Sequence, residues 1–138
     1  MPMENAAHSG GCLCGAVRYR AEGPPRSSST CHCRSCRLAS GAVSVAWFVV
    51  PLQRFRWTAG EPARFRSSAQ VTRSFCGRCG TPVAYQHDDS PGDIELTTAT
   101  LDHPERLPPT REIWLSQKVP WAAADPALPH CPRDSAGS

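Results

Sequence analysis

Seven of the eight cysteines fall into three short clusters along the chain. They are Cys12 and Cys14; Cys31, Cys33 and Cys36; and Cys76 and Cys79. A closed structural zinc site takes four protein ligands, whereas a catalytic site takes three and leaves the fourth position open. Seven thiolates therefore suggest one zinc ion that holds the fold and a second that takes part in chemistry.

The first and third clusters best match the closed site. Cys76 and Cys79 form a C-x-x-C-G knuckle, in which backbone N–H groups can hydrogen-bond the thiolates and glycine tolerates a positive φ. Cys12 and Cys14 lie two residues apart, so in an extended segment both sulfurs point to the same side. Joining the two pairs closes a long loop, where a cross-link stabilises most. We therefore assign Cys12, Cys14, Cys76 and Cys79 to a structural zinc ion.

Cys31, Cys33 and Cys36 come from one short loop and would crowd one side of a metal ion. The other side stays open for water or a ligand, and bound zinc lowers the pKa of either. Three thiolates favour a soft sulfur ligand in the open position. One alternative stays open: Cys131 or His130, from a proline-rich tail, could supply a fourth ligand and make this site structural. The ring of His32 should point away from the metal and support the site from outside.

Short strands must position most of these cysteines. Alternating or β-prone segments recur about every ten residues, which predicts a single, mainly β domain of packed short strands stapled by zinc. The strands are expected at Gly15 to Arg20, Val43 to Val50, Phe55 to Trp57, Arg64 to Arg66, Val71 to Phe75, Pro82 to Tyr85, Ile94 to Thr97 and Ile113 to Leu115. The segment Val43 to Val50 is nearly all apolar, as in a central strand.

The remaining segments predict little regular structure. A short helix is expected from Arg34 to Ser40, stopped at Gly41, and a helical turn from Leu101 to Leu107. Pro24 to Ser29 reads as a loop that leads into the second cysteine cluster. The domain is expected to span residues 9–131, with disordered ends at 1–8 and 132–138.

Composition narrows the class of protein. A chain of 138 residues with 14 Pro and 10 Gly has short elements and gains stability from metal ions. The N-terminus lacks the features of a signal peptide and no apolar stretch could span a membrane, so we expect a cytoplasmic protein whose thiols stay reduced. Seven thiolates and two Zn²⁺ ions would cancel the formal charge of +3, so no nucleic-acid partner is expected.

The cysteine segments resemble those of the glutathione-dependent formaldehyde-activating enzyme (GFA) family. The resemblance runs from about residue 8 to about residue 130. It is carried by Gly10 to Tyr19, Cys31 to Cys36 and Phe75 to Pro82, with weaker likeness at Phe55 to Trp57, Thr100 to Asp102 and Ile113 to Trp121. It implies a β-tent of packed antiparallel sheets, a structural zinc ion at the outer cysteine pairs, and a labile or catalytic one at Cys31, Cys33 and Cys36.

The resemblance also implies an activity. It is that of a carbon–sulfur lyase-type enzyme that condenses formaldehyde with glutathione to S-hydroxymethylglutathione, with the glutathione thiol as fourth ligand at the open site. Arg34 and Arg37 flank Cys36 and could bind a glutathione carboxylate. Glu112 stands where many relatives are expected to have a His, and Cys131 lies outside the metal pattern. The alternatives are a thiol carrier without turnover and a zinc-ribbon-like interaction module.

Overall fold

A computed structural model describes residues 6–134 of the chain. Ten strands form two sheets: β1 (His8–Gly11), β2 (Arg18–Ala21), β3 (Ser27–Cys31), β4 (Val45–Pro51), β5 (Phe55–Ala59), β6 (Ala63–Ser68), β7 (Val71–Phe75), β8 (Pro82–His87), β9 (Asp93–Thr97) and β10 (Glu112–Ile113). Helix α1 spans Arg34–Ser40, and short 3-10 turns lie at Leu52–Arg54, Thr98–Thr100, Pro104–Arg106 and Leu115–Gln117.

The smaller sheet has the strand order β1-β2-β5, and the larger has the order β10-β3-β4-β9-β8-β7-β6. Neighbouring strands run antiparallel except for β10, which pairs with β3 in parallel. The predicted mainly β, single-domain fold is confirmed. The segment from Val43 to Val50 was expected to be central, and β4 does lie inside the larger sheet, between β3 and β9.

The hydrophobic core lies between the two sheets. Tyr19 of β2, Phe48 of β4 and Leu96 of β9 are all fully buried there. Each such side chain stabilises the fold by roughly 1.5–3 kcal/mol. Because successive strand residues point to opposite faces, the side chains that flank these core positions lie on the other face of the larger sheet. That second face carries the candidate site.

Several sequence predictions were wrong. Cys12 and Cys14 were expected in an extended segment, but they lie in a turn, because Gly15 has a left-handed φ of 80° and its N–H donates to the Cys12 carbonyl oxygen at 3.1 Å. The strand expected from Gly15 begins only at Arg18 for the same reason. The segment from Pro24 to Ser29 was expected to be a loop, but β3 begins at Ser27 and pairs with β4 along its whole length. Serine alone does not favour a strand, and the pairing with an apolar neighbour decides the structure here. The expected strand from Ile113 to Leu115 ends early, because Trp114 has a left-handed backbone with φ of 57° and turns the chain into a 3-10 helix.

Helix α1 has the predicted bounds. The Cys33 side chain caps its N-terminus, and Gly41 ends it with a left-handed φ of 72°. Residues 1–5 and 135–138, parts of the ends expected to be disordered, lie outside the described residues. At the described margins, His8 begins β1, and the Arg133 carbonyl accepts a hydrogen bond from the Trp114 N–H at 2.8 Å. Among the described helical segments, none has the length and apolar character needed to cross a membrane.

Candidate metal centres and the adjoining cleft

The structure brings the first and third cysteine clusters together. The sulfur atoms of Cys12, Cys14, Cys76 and Cys79 all lie within 4.8 Å of one another. One pair belongs to the turn after β1 and the other to the turn between β7 and β8. Cys12 and Cys76 are buried against Val17 and Trp57, whereas Cys14 is exposed. Four thiolates gathered from two distant turns fit a closed tetrahedral Zn²⁺ site.

Backbone groups of both turns already point at these sulfurs. The Val17 N–H donates to Cys12 Sγ at 3.3 Å, and the N–H groups of Arg78 and Cys79 both donate to Cys76 Sγ at 3.4 Å. Such donors stabilise thiolates and orient metal ligands. The predicted knuckle geometry at Cys76 is therefore present, and the pairing of β7 with β8 shifts register at Ser74 and Phe75, directly before it.

Thr81 supports the same cluster and was missed by the sequence analysis. Its Oγ1 accepts a hydrogen bond from the Leu13 N–H at 3.1 Å and lies 3.2 Å from Cys79 Sγ. Hydrogen bonds from the Thr81 side chain and backbone lower the pKa of Cys79 to about 5. A threonine directly after a C-x-x-C-G turn was the only signal in the sequence.

The second cluster groups Cys31, Cys33 and Cys36, whose sulfur atoms also lie within 4.8 Å of one another. Cys31 ends β3, Cys33 caps α1, and Cys36 lies in the first turn of α1. The Cys36 N–H donates to Cys33 Sγ at 3.3 Å. Cys31 and Cys36 are buried with Trp47, and Cys33 is half-buried. Three soft donors on one side fit a zinc ion with an open position.

The cysteines of this cluster differ in pKa. Hydrogen bonds from the Cys31 and Cys36 thiols lower the pKa of Cys33. The pKa of Cys31 is raised by its bonds to Cys33 and Cys36 and by burial. The Arg73 guanidinium lies 3.9 Å from Cys36 Sγ and adds positive charge beside the sulfurs.

A cleft of about 730 Å³ opens beside Cys31, Cys33 and Cys36. Its floor is the second face of the larger sheet, where Arg73 of β7 pairs with Tyr85 of β8, and Tyr85 pairs with Glu95 of β9. The Arg73 guanidinium lies 5.1 Å above the Tyr85 ring, and the Tyr85 and Trp47 rings are 5.8 Å apart. The lining combines the aromatic rings of Trp47, Tyr85 and Trp114 with many polar and charged side chains. A cleft of this volume can take a small polar molecule.

The sequence profile of the glutathione-dependent formaldehyde-activating enzyme family matches residues 7–117 of the 138-residue chain. The chain belongs to this family. Both cysteine clusters lie within the matched residues, so the resemblance drawn from the cysteine spacing is confirmed.

Two individual proteins are similar to this member of the family. An uncharacterized lyase of Schizosaccharomyces pombe is 29% identical over 93 residues, which are 61% of this chain and 62% of that protein. The chain therefore spans less than two thirds of the length of this curated relative. A crystal structure of a Rhodobacter sphaeroides protein matches with a TM-score of 0.57 and 24% identity, over 68% of this chain and 87% of that one. The second likeness concerns the fold.

Glu112 stands where the resemblance to the family led us to expect a His. Its Oε1 lies 2.6 Å from Nε2 of His32, and both side chains are buried. The carboxylate accepts this hydrogen bond, so the ring nitrogen is the donor. Because His32 lies between Cys31 and Cys33, the pair ties the three-cysteine loop to β10. The ring thus supports the loop through Glu112 and is not part of the group that could hold the metal ion, as predicted.

The other candidate residues of the family site are more scattered. Arg34 is exposed and lines a second cleft beside α1, whereas Arg37 lines neither cleft. Among the described residues, neither Cys131 nor His130 belongs to a cluster that could hold a metal ion. His130 Nε2 instead lies 2.8 Å from the Asp125 carbonyl oxygen.

Proposed function

We propose that this protein is a zinc-dependent lyase-type enzyme that condenses formaldehyde with glutathione, or a similar small thiol, to give the S-hydroxymethyl adduct. The proposal is supported by membership of the family and, above all, by the position of the three-cysteine cluster at the wall of a substrate-sized cleft. Cys12, Cys14, Cys76 and Cys79 would hold a structural zinc ion. Cys31, Cys33 and Cys36 would hold a second.

Zinc at the second cluster, when bound, would lower the pKa of a substrate thiol and favour its nucleophilic thiolate form. The chain's own residues supply position and surroundings. Trp47 and Tyr85 place aromatic rings next to the sulfurs, and Arg73 adds a positive charge beside them. A small electrophile and a positioned thiolate need little more than proximity in the right orientation.

Arg73 is the best-placed group for a substrate carboxylate in the main cleft, because it lies beside Cys36 and its guanidinium covers Tyr85. Arginine binds carboxylates through paired N–H donors. Arg34 remains a candidate for a second carboxylate, since the cleft that it lines also includes Cys36 and Arg73. Arg37 would need a different side-chain position to take part.

Metal content and thiol binding test the first half of the proposal. We expect two zinc ions per chain by elemental analysis, and a change of the zinc X-ray absorption spectrum toward a fourth sulfur ligand when glutathione is added. A single zinc ion, or a second zinc ion with four fixed protein ligands, would contradict the open site.

Catalysis tests the second half. Catalytic amounts of protein should form the adduct faster than it forms spontaneously, as measured by NMR exchange between free and adduct formaldehyde. The Cys33→Ser variant should lose this acceleration and keep its fold. The Cys131→Ser variant is the matched control, because Cys131 lies outside both clusters, and it should keep the acceleration. Thiol binding without acceleration in the unaltered protein would favour a carrier instead.

A further inference from the structure

Glu95 is a carboxylic acid placed on the floor of the main cleft by strand alternation. Its neighbours in β9, Ile94 and Leu96, are fully buried in the core between the sheets. Glu95 therefore points to the opposite face, where it lines the same cleft as Cys33 and Cys36. It is half-buried, so its carboxyl group is reachable from the cleft but poorly hydrated.

The Glu95 carboxyl group has neither a hydrogen bond nor an ion pair among the described residues. The nearby acid Asp93 differs, since it accepts from Arg26 Nε at 2.8 Å. The guanidinium of Arg73 acts on Glu95 through charge but forms no ion pair with it, and it leans over Tyr85 instead. A half-buried carboxyl group costs stability unless it has a partner, so one without a structural role is a candidate for function.

We propose that Glu95 is the proton-transfer group of this site: it takes the proton of the incoming thiol and returns it to the oxygen of the adduct. This inference rests on the proposed function and extends it to a residue outside the cysteine clusters.

The Glu95 carboxyl group can both take up the proton that the thiol loses and return it to the product. In the first step the thiol S–H bond breaks, the proton moves to the Glu95 carboxylate, and the thiolate remains beside the cysteines. In the second step the thiolate sulfur bonds to the formaldehyde carbon. The carbonyl π electrons move to oxygen, and that oxygen takes the proton from the Glu95 carboxylic acid. The carboxylate is restored, and no other co-reactant is needed.

The charges around Glu95 suit a group that both accepts and donates. Burial raises the pKa of Glu95 to about 7, while Arg73 lowers it and Asp93 raises it. An acid–base catalyst works best with a pKa near the working pH. The ionisable groups that line the cleft with Glu95 come from several elements of the fold. They are Arg26, Cys31, Cys33, Cys36, Arg73, Tyr85, His87, Asp89, Asp93 and Asp134.

The raised pKa also gives a check that needs no turnover. The folded protein holds the Glu95 proton more tightly than the unfolded chain between the ordinary value of 4.5 and about 7. The free energy of unfolding should therefore fall as pH rises through this window, because ionisation disfavours the folded state. The Glu95→Gln variant should lack this part of the pH dependence in urea unfolding experiments.

Proton release on thiol binding tests the first step directly. The zinc-loaded protein is titrated at pH 7.5 with glutathione, and separately with 2-mercaptoethanol, by calorimetry in two buffers of different ionisation enthalpy. The Glu95→Gln variant should release about one proton per thiol bound. The unaltered protein should release fewer, by up to about three quarters of a proton, because about that fraction of Glu95 is ionised at pH 7.5 and can take up the thiol proton. The Asp89→Asn variant, which removes another carboxylate of the cleft, should behave like the unaltered protein.

Steady-state rates test the second step. The Glu95→Gln variant should lower kcat by roughly 100-fold or more and change KM little, and its pH–rate profile should lack the limb near pH 7. Equal proton release in both proteins contradicts the inference, even if the unaltered protein is active. A difference in proton release without any acceleration supports Glu95 as the proton acceptor and contradicts the proposed function. If neither thiol binds, both proposals are wrong.

Discussion

Thr81 links the two cysteine pairs of the four-cysteine cluster through one hydroxyl group. It accepts from the Leu13 N–H, in the first turn, and lies 3.2 Å from Cys79 Sγ, in the other. Removing a group that orients metal ligands typically lowers metal affinity by about 10- to 100-fold. We expect this loss in Thr81→Val, which keeps the shape of the side chain. Competition with a chromogenic chelator in a Cys33→Ser background would measure the four-cysteine site alone.

Thr81→Ser is the matched variant, because it keeps the hydroxyl group and loses only a methyl group. Its zinc affinity should stay close to that of the parent protein. If the valine and serine variants bind zinc equally well, the Thr81 hydroxyl has no part in holding the metal.

The sequence predicted the roles of individual residues only where those roles depend on neighbours a few positions away in the chain. The cysteines could be grouped because C-x-C and C-x-x-C spacings fix how neighbouring sulfurs lie. Arg73 and Glu95 could not be placed in the cleft, although each lies in a segment predicted to be a strand. Their approach to the cysteines depends on the register by which β7, β8 and β9 pair, and short strands do not reveal their register in advance.

Two turns of the structure each contain a glycine with a left-handed backbone conformation. One turn ends a helix, and the other joins two strands. Gly41 ends α1 with a φ of 72°, and Gly60 joins β5 to β6 with a φ of 67°. A Cβ added at Gly41 would meet nothing within 4 Å, whereas at Gly60 it would lie 2.1 Å from the Ala16 carbonyl oxygen. The left-handed conformation alone costs a side-chain-bearing residue roughly 1–2 kcal/mol.

This pair of glycines separates backbone strain from steric overlap. Gly41→Ala should lower the free energy of unfolding by about 1–2 kcal/mol in urea experiments. Gly60→Ala should lower it by clearly more, because the backbone that carries Ala16 must also move. Equal losses of unfolding free energy in the two variants would show that the backbone around Ala16 moves at little energetic cost.

The elements differed in how well the sequence predicted them. Helix α1 carries a local stop signal at Gly41, and its bounds were predicted correctly. Strand β3 has no such signals. Its serines pair with β4, and Thr30 and Cys31 at its end also pair with the short parallel strand β10. No local pattern in the sequence indicates either pairing.

For the molecule as a whole, the larger sheet has two different faces. One face packs against the smaller sheet and forms the core, while the other carries the cleft and the three-cysteine cluster. The mainly β fold was predictable because strand alternation and turn residues are visible in the sequence. The division into a closed and an open cysteine cluster followed from counting ligands, but the cleft beside the open cluster follows only from the packed structure.

Loss of the four-cysteine cluster should lower the stability of the whole fold more than loss of the three-cysteine cluster. The four-cysteine cluster joins the turn after β1 to the turn between β7 and β8, so its metal would close a loop of about half the chain. A covalent cross-link around a loop of this length stabilises a fold by about 4 kcal/mol, mainly by restricting the unfolded chain. Cys76→Ser should therefore cause a large fall in the thermal midpoint or prevent folding.

Cys33→Ser should change the thermal midpoint little. The three-cysteine cluster comes from one short segment of the chain, and β3 and α1, which carry its cysteines, also have contacts outside the cluster. Circular dichroism melting of both variants, with and without a chelator, measures the difference. Equal losses of stability would mean that the three-cysteine cluster also holds the fold together.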